Sequence, residues 1–223
     1  TRSLCDWSSD VCSSDLEQLN LLRSNDASAA RLLQLGLLEI SLGQEISRVE
    51  TVFAFLDLLD TVPPMAIEAL KDRENLPEAS RPQLLAMFNP LVIVLNNSVA
   101  MGADVVLSGE ASVEESNRIL ARIGKASADL EALTRLEVAE VNDTLAMVAL
   151  AEGRYERAIE LSRLAIEAAP FRPGFRLSLA RVLLRSGDNL EARSQGLQAR
   201  RLHERLPVPD PALEAKIDEF MQK

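Results

Sequence analysis

Two consecutive stretches decide the fold, AEVNDTLAMVALAEGRYERAIELSRLAIEAAP (139–170) and PGFRLSLARVLLRSGDNLEARSQGLQARRLHE (173–204). Apolar residues recur in both at helical spacing, and a glycine stands in each where a helix must turn. The matching positions lie 34 residues apart: Leu145-Ala146 and Leu179-Ala180, Gly153 and Gly187, Ala158 and Ala192, Ala165 and Ala199. The sequence therefore predicts two successive helix–turn–helix units.

A period of 34 residues with small residues at these positions resembles the tetratricopeptide repeat (TPR) over residues 139–204. The resemblance implies an all-α fold in which helical hairpins stack into a solenoid. The segment LPVPDPALEAKIDEFMQK (206–223) then supplies the extra helix that usually caps such arrays. Asp210 is its predicted N-cap and Pro211 its first-turn proline. Its predicted apolar stripe consists of Leu213, Ile217, Phe220 and Met221.

The second repeat departs from the family pattern in its latter half. Asn189 stands where the first repeat has Tyr155, and Glu204 stands where it has the closing Pro170. Gly196 lies inside the second helix, where glycine costs ~1 kcal/mol relative to alanine. We therefore expect this helix to be weaker than its counterpart in the first repeat.

The resemblance also implies that the first helices of the units line a groove that binds a protein or peptide. Arg181 and Arg185 are four residues apart on one helix face, a geometry suited to a carboxylate of a bound peptide. A solvated arginine ridge is the alternative, and the pattern of the chaperone-binding carboxylate clamp is not matched. The candidate groove residues are Asp143, Met147 and Leu150 in the first repeat and Leu177, Arg181, Leu184 and Arg185 in the second.

Residues 17–138 form a second region, predicted to be α-helical and largely non-repetitive. The stretch 27–60 matches the TPR pattern weakly as one degenerate repeat, with Val52 and Phe55 on its second helix. Arg48 stands where the repeat expects a small residue. A short helix is predicted after VPP (62–64), and a longer one over 112–137, opened by a capping box of Ser112 and Glu115.

The stretch LLAMFNPLVIVLNNSVAMGADVVL (84–107) has two competing interpretations. No charged residue occurs between Arg81 and Asp104, and a span of this length could cross a bilayer. Polar residues interrupt it, and neither end carries a cluster of Lys or Arg. We prefer two buried helices broken at Asn89-Pro90, with a membrane span as the alternative.

The opening TRSLCDWSSDVCSSDL (1–16) resembles the translation of an indexed sequencing-library adapter, and one reading frame accounts for every residue. We therefore treat residues 1–16 as non-native and expect them to be disordered. Both cysteines and the only tryptophan fall in this stretch, so the sequence supports no prediction of a disulfide or a CxxC site. We also expect the native N-terminus, with any targeting signal or further domain, to lie upstream.

Composition and charge narrow the function. Residues 17–138 carry 10 basic against 18 acidic residues, and residues 139–223 carry 13 of each, so we expect no nucleic-acid partner and no membrane contact. Common catalytic and nucleotide-binding motifs are absent. The only histidine, His203, is interpreted as a solvated residue at a helix end. We assign no catalytic residue, cofactor or metal site.

The sequence thus predicts a bacterial protein-interaction or assembly scaffold without catalysis of its own. The alternative is that this chain is the C-terminal accessory tail of a larger enzyme or membrane protein. A cytoplasmic or periplasmic location is favoured, and the sequence does not determine the oligomeric state or the partner's identity.

Overall fold

The structure is a computed structural model that describes residues 48–60, 62, 64–76, 78 and 81–222. The predicted segment 1–16 and the first helix of the degenerate repeat lie outside these residues. Over the described ranges the regular elements are α-helices and one short 3₁₀ turn, with no strand, which confirms the all-α prediction. The α-helices are α1 (Arg48–Leu59), α2 (Pro64–Lys71), α3 (Arg81–Ser108), α4 (Val113–Thr134), α5 (Ala139–Ala151), α6 (Tyr155–Ala168), α7 (Pro173–Ser186), α8 (Asn189–His203) and α9 (Pro211–Met221).

The helices from α3 onward stack as successive hairpins. α3 pairs with α4, α5 with α6 and α7 with α8, while α3 also contacts α5 and α5 contacts α7. Helices α3, α5 and α7 therefore form one layer, and α4 and α6 each pack against the first helix of the following hairpin. This arrangement is a TPR-like α-solenoid, with α9 as the C-terminal capping helix that the sequence predicted.

The turns inside both repeats follow from glycine. Gly153 has φ of 74° between α5 and α6, and Gly187 has φ of 94° between α7 and α8. L-residues with a side chain rarely adopt this left-handed conformation, whereas glycine does so without a steric penalty. The small residues at the crossings, Ala158, Ala165 and Ala192, are almost completely buried, as the pattern predicted.

Gly196 explains how α9 packs onto α8. A Cβ atom at Gly196 would lie 2.6 Å from Cε1 of Phe220 and 3.1 Å from Sδ of Met221. The absent side chain therefore leaves room for the α9 stripe against α8, where Ile217 is buried with Leu177 and Ala199. Gly196 therefore lowers the intrinsic helix propensity of α8 but provides the space in which the capping helix α9 packs.

Helix α3 corrects the prediction of two helices broken at Asn89-Pro90. It continues through Pro90 for 28 residues, from Arg81 to Ser108. Proline cannot donate a hydrogen bond to the carbonyl group four residues earlier, here that of Ala86. Because Ala86, Asn89 and Pro90 are all exposed, water can hydrate that carbonyl group and the helix continues.

The segment Phe88–Ser108 of α3 is the only one among the described residues that is long and apolar enough to cross a membrane, judged by length and composition. Core helices of soluble proteins meet the same criterion. In this structure the segment contributes Leu91, Val94, Leu95 and Val99 to the protein interior.

Helix α4 follows its predicted pattern. The Ser112 hydroxyl accepts a hydrogen bond from the Glu115 backbone N–H, and the Glu115 carboxylate accepts one from the Ser112 backbone N–H, which confirms the capping box. An apolar seam along α4 is buried in the protein interior and consists of Ile119, Ile123, Ala126, Leu130 and Leu133. This seam belongs to a core cluster that extends from Val49 in α1 to Val182 in α7 and so joins the two regions.

Candidate functional site

The predicted groove residues Asp143 and Arg181 come together between α5 and α7. The Ser178 hydroxyl on α7 donates a hydrogen bond to the Asp143 carboxylate, and the charge of Arg181 acts on the same group. Oδ1 of Asp143 is enclosed and has no hydrogen-bond partner. The structure therefore places an incompletely satisfied carboxylate beside an exposed guanidinium group on the helix layer that contains α3, α5 and α7.

Burial raises the pKa of Asp143 to about 6. The cause is desolvation, which disfavours the charged carboxylate and which the nearby Glu140 reinforces. The hydrogen bond from Ser178 and the positive charge of Arg181 both act in the opposite direction and offset only part of the desolvation. Asp143 is therefore a carboxylate whose charge changes within the near-neutral pH range.

The other predicted groove residues differ in how much of each side chain is exposed to solvent. Arg185 is exposed on α7, whereas Leu184 is half-buried beside a cavity. Met147 packs partly buried against the main core, and Leu150 belongs to that core with 7% of its surface exposed. Leu177 is 4% exposed and borders a cavity. Leu150 thus offers almost no surface to a partner, because the α5 face on which it lies packs inward.

Five of the ten arginines in residues 139–204 form ion pairs with carboxylates, and Arg181 and Arg185 are not among them. Arg154, Arg157 and Arg163 each contact a carboxylate, and so does Arg172, which binds Glu140 at 2.9 Å. Among the described residues no carboxylate lies within ion-pair distance (4.0 Å) of Arg181 or Arg185. Two guanidinium groups on one helix face therefore remain available to an external anion.

Residues outside the predicted set also line this face. A cavity of about 170 Å³ is bounded by Leu177 and Arg181 of α7 together with Asp104 of α3 and Lys216, Glu219 and Phe220 of α9. The apolar stripe of α9 identified Phe220 as a packing residue, but no sequence signal placed Lys216 opposite α7. Asp104 was missed because α3 carries no repeat pattern.

His203 corrects the interpretation of a solvated histidine. It is 9% exposed, its Nε2 lies 3.0 Å from the Asp210 carbonyl oxygen, and the Asp210 backbone N–H lies 3.3 Å from the same nitrogen. The histidine thus joins the end of α8 to the start of α9 and has a structural role. Within residues 48–60, 64–76 and 81–222, no three His, Cys, Asp or Glu residues are grouped so that they could hold a metal ion.

No protein-family model and no curated protein matches the chain. Among solved structures, the chain is similar to the crystal structure of a thermophilic TPR protein from Thermus thermophilus. The TM-score is 0.57 and the sequence identity 15%, and the alignment covers 94% of this chain and 90% of that chain. At this identity the similarity shows the fold alone, which is a TPR-like helical-repeat fold.

Proposed function

We propose that the chain is a protein-interaction module that binds a peptide segment of a partner protein on the face formed by α5 and α7. The observation that supports this function is the pair of exposed arginines, Arg181 and Arg185, which lack a carboxylate partner within the described residues. Guanidinium groups held four residues apart on a rigid helix suit bidentate recognition of carboxylates. Half-buried apolar neighbours such as Leu184 would add contact area.

The proposal does not invoke catalysis. The raised pKa of Asp143 has a sufficient cause in burial between two helices, and structural burial shifts pKa values as active sites do. The alternative of an accessory tail of a larger enzyme or membrane protein stays a prediction.

A randomised phage-displayed peptide library, selected on the immobilised protein, tests this function. We expect selected peptides to bind the wild type and to lose about tenfold or more in affinity for Arg181→Gln with Arg185→Gln, since two arginine contacts that become buried on binding are together worth more than about 1.4 kcal/mol. Gln is chosen because an acidic side chain at position 181 would add repulsion beside Asp143.

The matched control is Arg201→Gln with Arg205→Gln, which removes two exposed arginines at the end of α8. Unchanged circular dichroism would show that both variants keep their helices. Selected peptides that bind the first variant as tightly as the wild type would remove these arginines from the site. No enrichment on the wild type would contradict peptide binding itself.

A further inference from the structure

Three polar side chains meet where α5 packs against α7. Asp143 on α5 accepts a hydrogen bond from the Ser178 hydroxyl on α7, while its Oδ1 atom is enclosed and has no hydrogen-bond partner. Arg181 follows Ser178 by three residues and therefore lies on the same side of α7. The carboxylate and the guanidinium group are thus neighbours on the face to which the proposed function assigns a partner.

Asp143 and Arg181 interact through their charges and not through a direct ion pair. The charge of Arg181 acts on Asp143, although no carboxylate among the described residues lies within 4.0 Å of a nitrogen atom of Arg181. Arg181 is exposed, so an external carboxylate can bind it while Asp143 stays in place. The anionic group of a partner and Asp143 therefore depend on the same cation.

The other helices packed against α5 bring no further charge to Asp143. Glu140, one turn earlier on α5, acts on Asp143 and is itself paired with the exposed Arg172 at 2.9 Å. On α4 and α6, Glu131 and Arg157 bind each other at 2.7 Å. Among the described residues, the charged groups that act on Asp143 are therefore Glu140 and the cation on α7.

The groups around Arg181 carry both signs of charge. The cavity beside it is lined by Asp104 of α3 and by Lys216 and Glu219 of α9. Asp104 binds Arg48, which also binds a second carboxylate, and Glu219 has an interaction within the chain. All three cavity residues are exposed, and solvent and salt screen exposed charges more than enclosed ones.

The charge of Asp143 depends on pH in the near-neutral range. Burial raises the pKa of Asp143 to about 6, and the positive charge of Arg181 acts to lower it. Above this pH Asp143 is charged and offsets part of the positive potential at Arg181, whereas below it the neutral carboxyl leaves that potential to a partner. An anion that binds Arg181 weakens the effect of the cation and so raises the pKa of Asp143 further.

We propose that Asp143 makes peptide binding on the α5–α7 face proton-linked: the anionic group of the partner binds Arg181 more tightly when Asp143 is protonated. Because linkage is reciprocal, binding of the partner also favours uptake of a proton by Asp143. This inference rests on the proposed function and adds to it the control of affinity by pH. Affinity rises as the pH falls from 8 to 5.5.

Carboxyl ¹³C NMR of the protein without peptide tests the interaction on which the proposal depends. The Asp143 resonance is assigned as the one that disappears in Asp143→Asn. We expect Arg181→Gln, which imitates a neutralised cation, to raise the pKa of Asp143 by about half a unit or more. Arg185→Gln, one turn further along α7, is the matched control and should raise it less. An unchanged pKa in Arg181→Gln would overturn the proposal.

Fluorescence anisotropy with a labelled, histidine-free peptide from the library selection tests the link to binding. Both pH values, 5.5 and 8, lie above the ordinary pKa of peptide carboxyl groups, about 4. The wild type should bind about threefold more tightly at pH 5.5, the change that follows when binding raises a pKa by about half a unit. Asp143→Asn should bind almost equally at both values. The matched control Glu156→Gln removes one exposed carboxylate from α6, keeps Asp143, and should show the wild-type change.

Ser178→Ala gives a readout that a purely structural Asp143 would not produce. Loss of the hydrogen bond from Ser178 should raise the pKa of Asp143, because that bond favours the charged carboxylate. The rise in affinity should therefore begin at a higher pH than in the wild type. A midpoint that does not move in Ser178→Ala would contradict the assignment of the pH dependence to Asp143.

The outcomes separate this proposal from the proposed function. Equal affinity of the wild type at both pH values, or a pH dependence that persists in Asp143→Asn, would overturn proton linkage and leave peptide binding on the α5–α7 face intact. Failure to select any peptide would contradict the proposed function and this inference with it.

Discussion

Helices α1–α4 and helices α5–α9 are built on different kinds of contact. In α5–α9 the same contacts recur at an offset of 34 residues, with Ala158 and Ala192 in equivalent crossings. In α1–α4 the partners have no fixed offset: Arg122 binds Asp57 at 2.8 Å and Asp60 at 2.6 Å, across 65 and 62 residues of sequence. Repeated contacts can be identified from sequence, whereas single distant contacts cannot.

The ion pairs of α1–α4 are not what holds that region in place. Asp57 and Asp60 are about 70% exposed, and such surface pairs contribute roughly 0–1 kcal/mol. The larger contribution comes from the core cluster that α1–α7 share. The two regions therefore differ in how they are specified, but they share one interior.

The largest expected effect tests whether that interior is shared. Leu130→Ala in α4 and Leu161→Ala in α6 remove side chains that are at most 2% exposed and belong to the same cluster. Each should lower the free energy of unfolding by about 2–5 kcal/mol, through lost burial and the cavity left behind. Urea denaturation followed by circular dichroism should show one transition shifted in both variants. Two separate transitions would show that the regions unfold independently.

The next effect concerns the buried carboxylate of Asp143, whose Oδ1 has no hydrogen-bond partner. In α1–α4, by contrast, Asp57 and Asp60 are paired with Arg122 at the surface. Because the folded-state pKa of about 6 exceeds the ordinary value of 3.8, folding favours the protonated carboxyl. Its contribution to stability is fully present below pH of about 4 and is lost as the pH rises through 6. Asp143→Asn should therefore stabilise the protein by up to about 3 kcal/mol at pH 8 and by almost nothing at pH 4.

Urea denaturation of the wild type and Asp143→Asn at pH 4, 6 and 8 measures this difference. Glu156→Gln in α6 serves as the matched control, because it removes one carboxylate from an exposed position. A stability difference for Asp143→Asn that does not change with pH would show that folding does not raise the pKa of this carboxyl, and the burial argument would fail.

The smallest effect compares close helix contacts in the two regions. A Cβ atom at Gly102 in α3 would lie 2.8 Å from Cγ2 of Ile123, and one at Gly196 would lie 2.6 Å from the Phe220 ring. A Cβ atom at Gly174 in α7 would meet nothing within 4 Å. Gly174→Ala is the reference variant, because it gains helix propensity without a steric clash. Gly102→Ala and Gly196→Ala should each have a free energy of unfolding about 1–3 kcal/mol lower than this reference, because overpacking outweighs the gain in helix propensity.

Hydrogen exchange distinguishes the two glycine variants. Gly196→Ala should reduce protection mainly in α9, whereas Gly102→Ala should reduce it in α3 and α4. Unchanged protection of α9 in Gly196→Ala would show that Phe220 can move aside without loosening the capping helix.

Prediction from sequence was accurate where a local pattern had a local cause. The capping box of Ser112 and Glu115, the N-cap Asp210 and the turn at Gly153 all depend on residues within one turn of each other. The prediction of a break at Asn89-Pro90 was wrong. The helix continues because the carbonyl group of Ala86, which Pro90 leaves without a donor, is on an exposed face. Which face of α3 is exposed depends on how the helix packs, and no local pattern gives that. The same reason applies to His203, whose burial depends on where α9 lies.

The candidate site shows the same division. The sequence predicted Asp143, Arg181 and Arg185 as groove candidates from their positions in the first helices of the two repeats. It did not identify Asp104 or Lys216, which line the cavity beside Arg181 only when α3 and α9 are packed around α7.

By itself, therefore, the sequence determined the helical class, the two repeats and the capping helix, since helix periodicity and turn glycines are short-range properties. Only the tertiary structure decided that α3 stays one helix, that Phe220 packs against Gly196, and that α9 borders a cavity beside Arg181. These features depend on distances between segments far apart in the chain, and no local pattern encodes such distances.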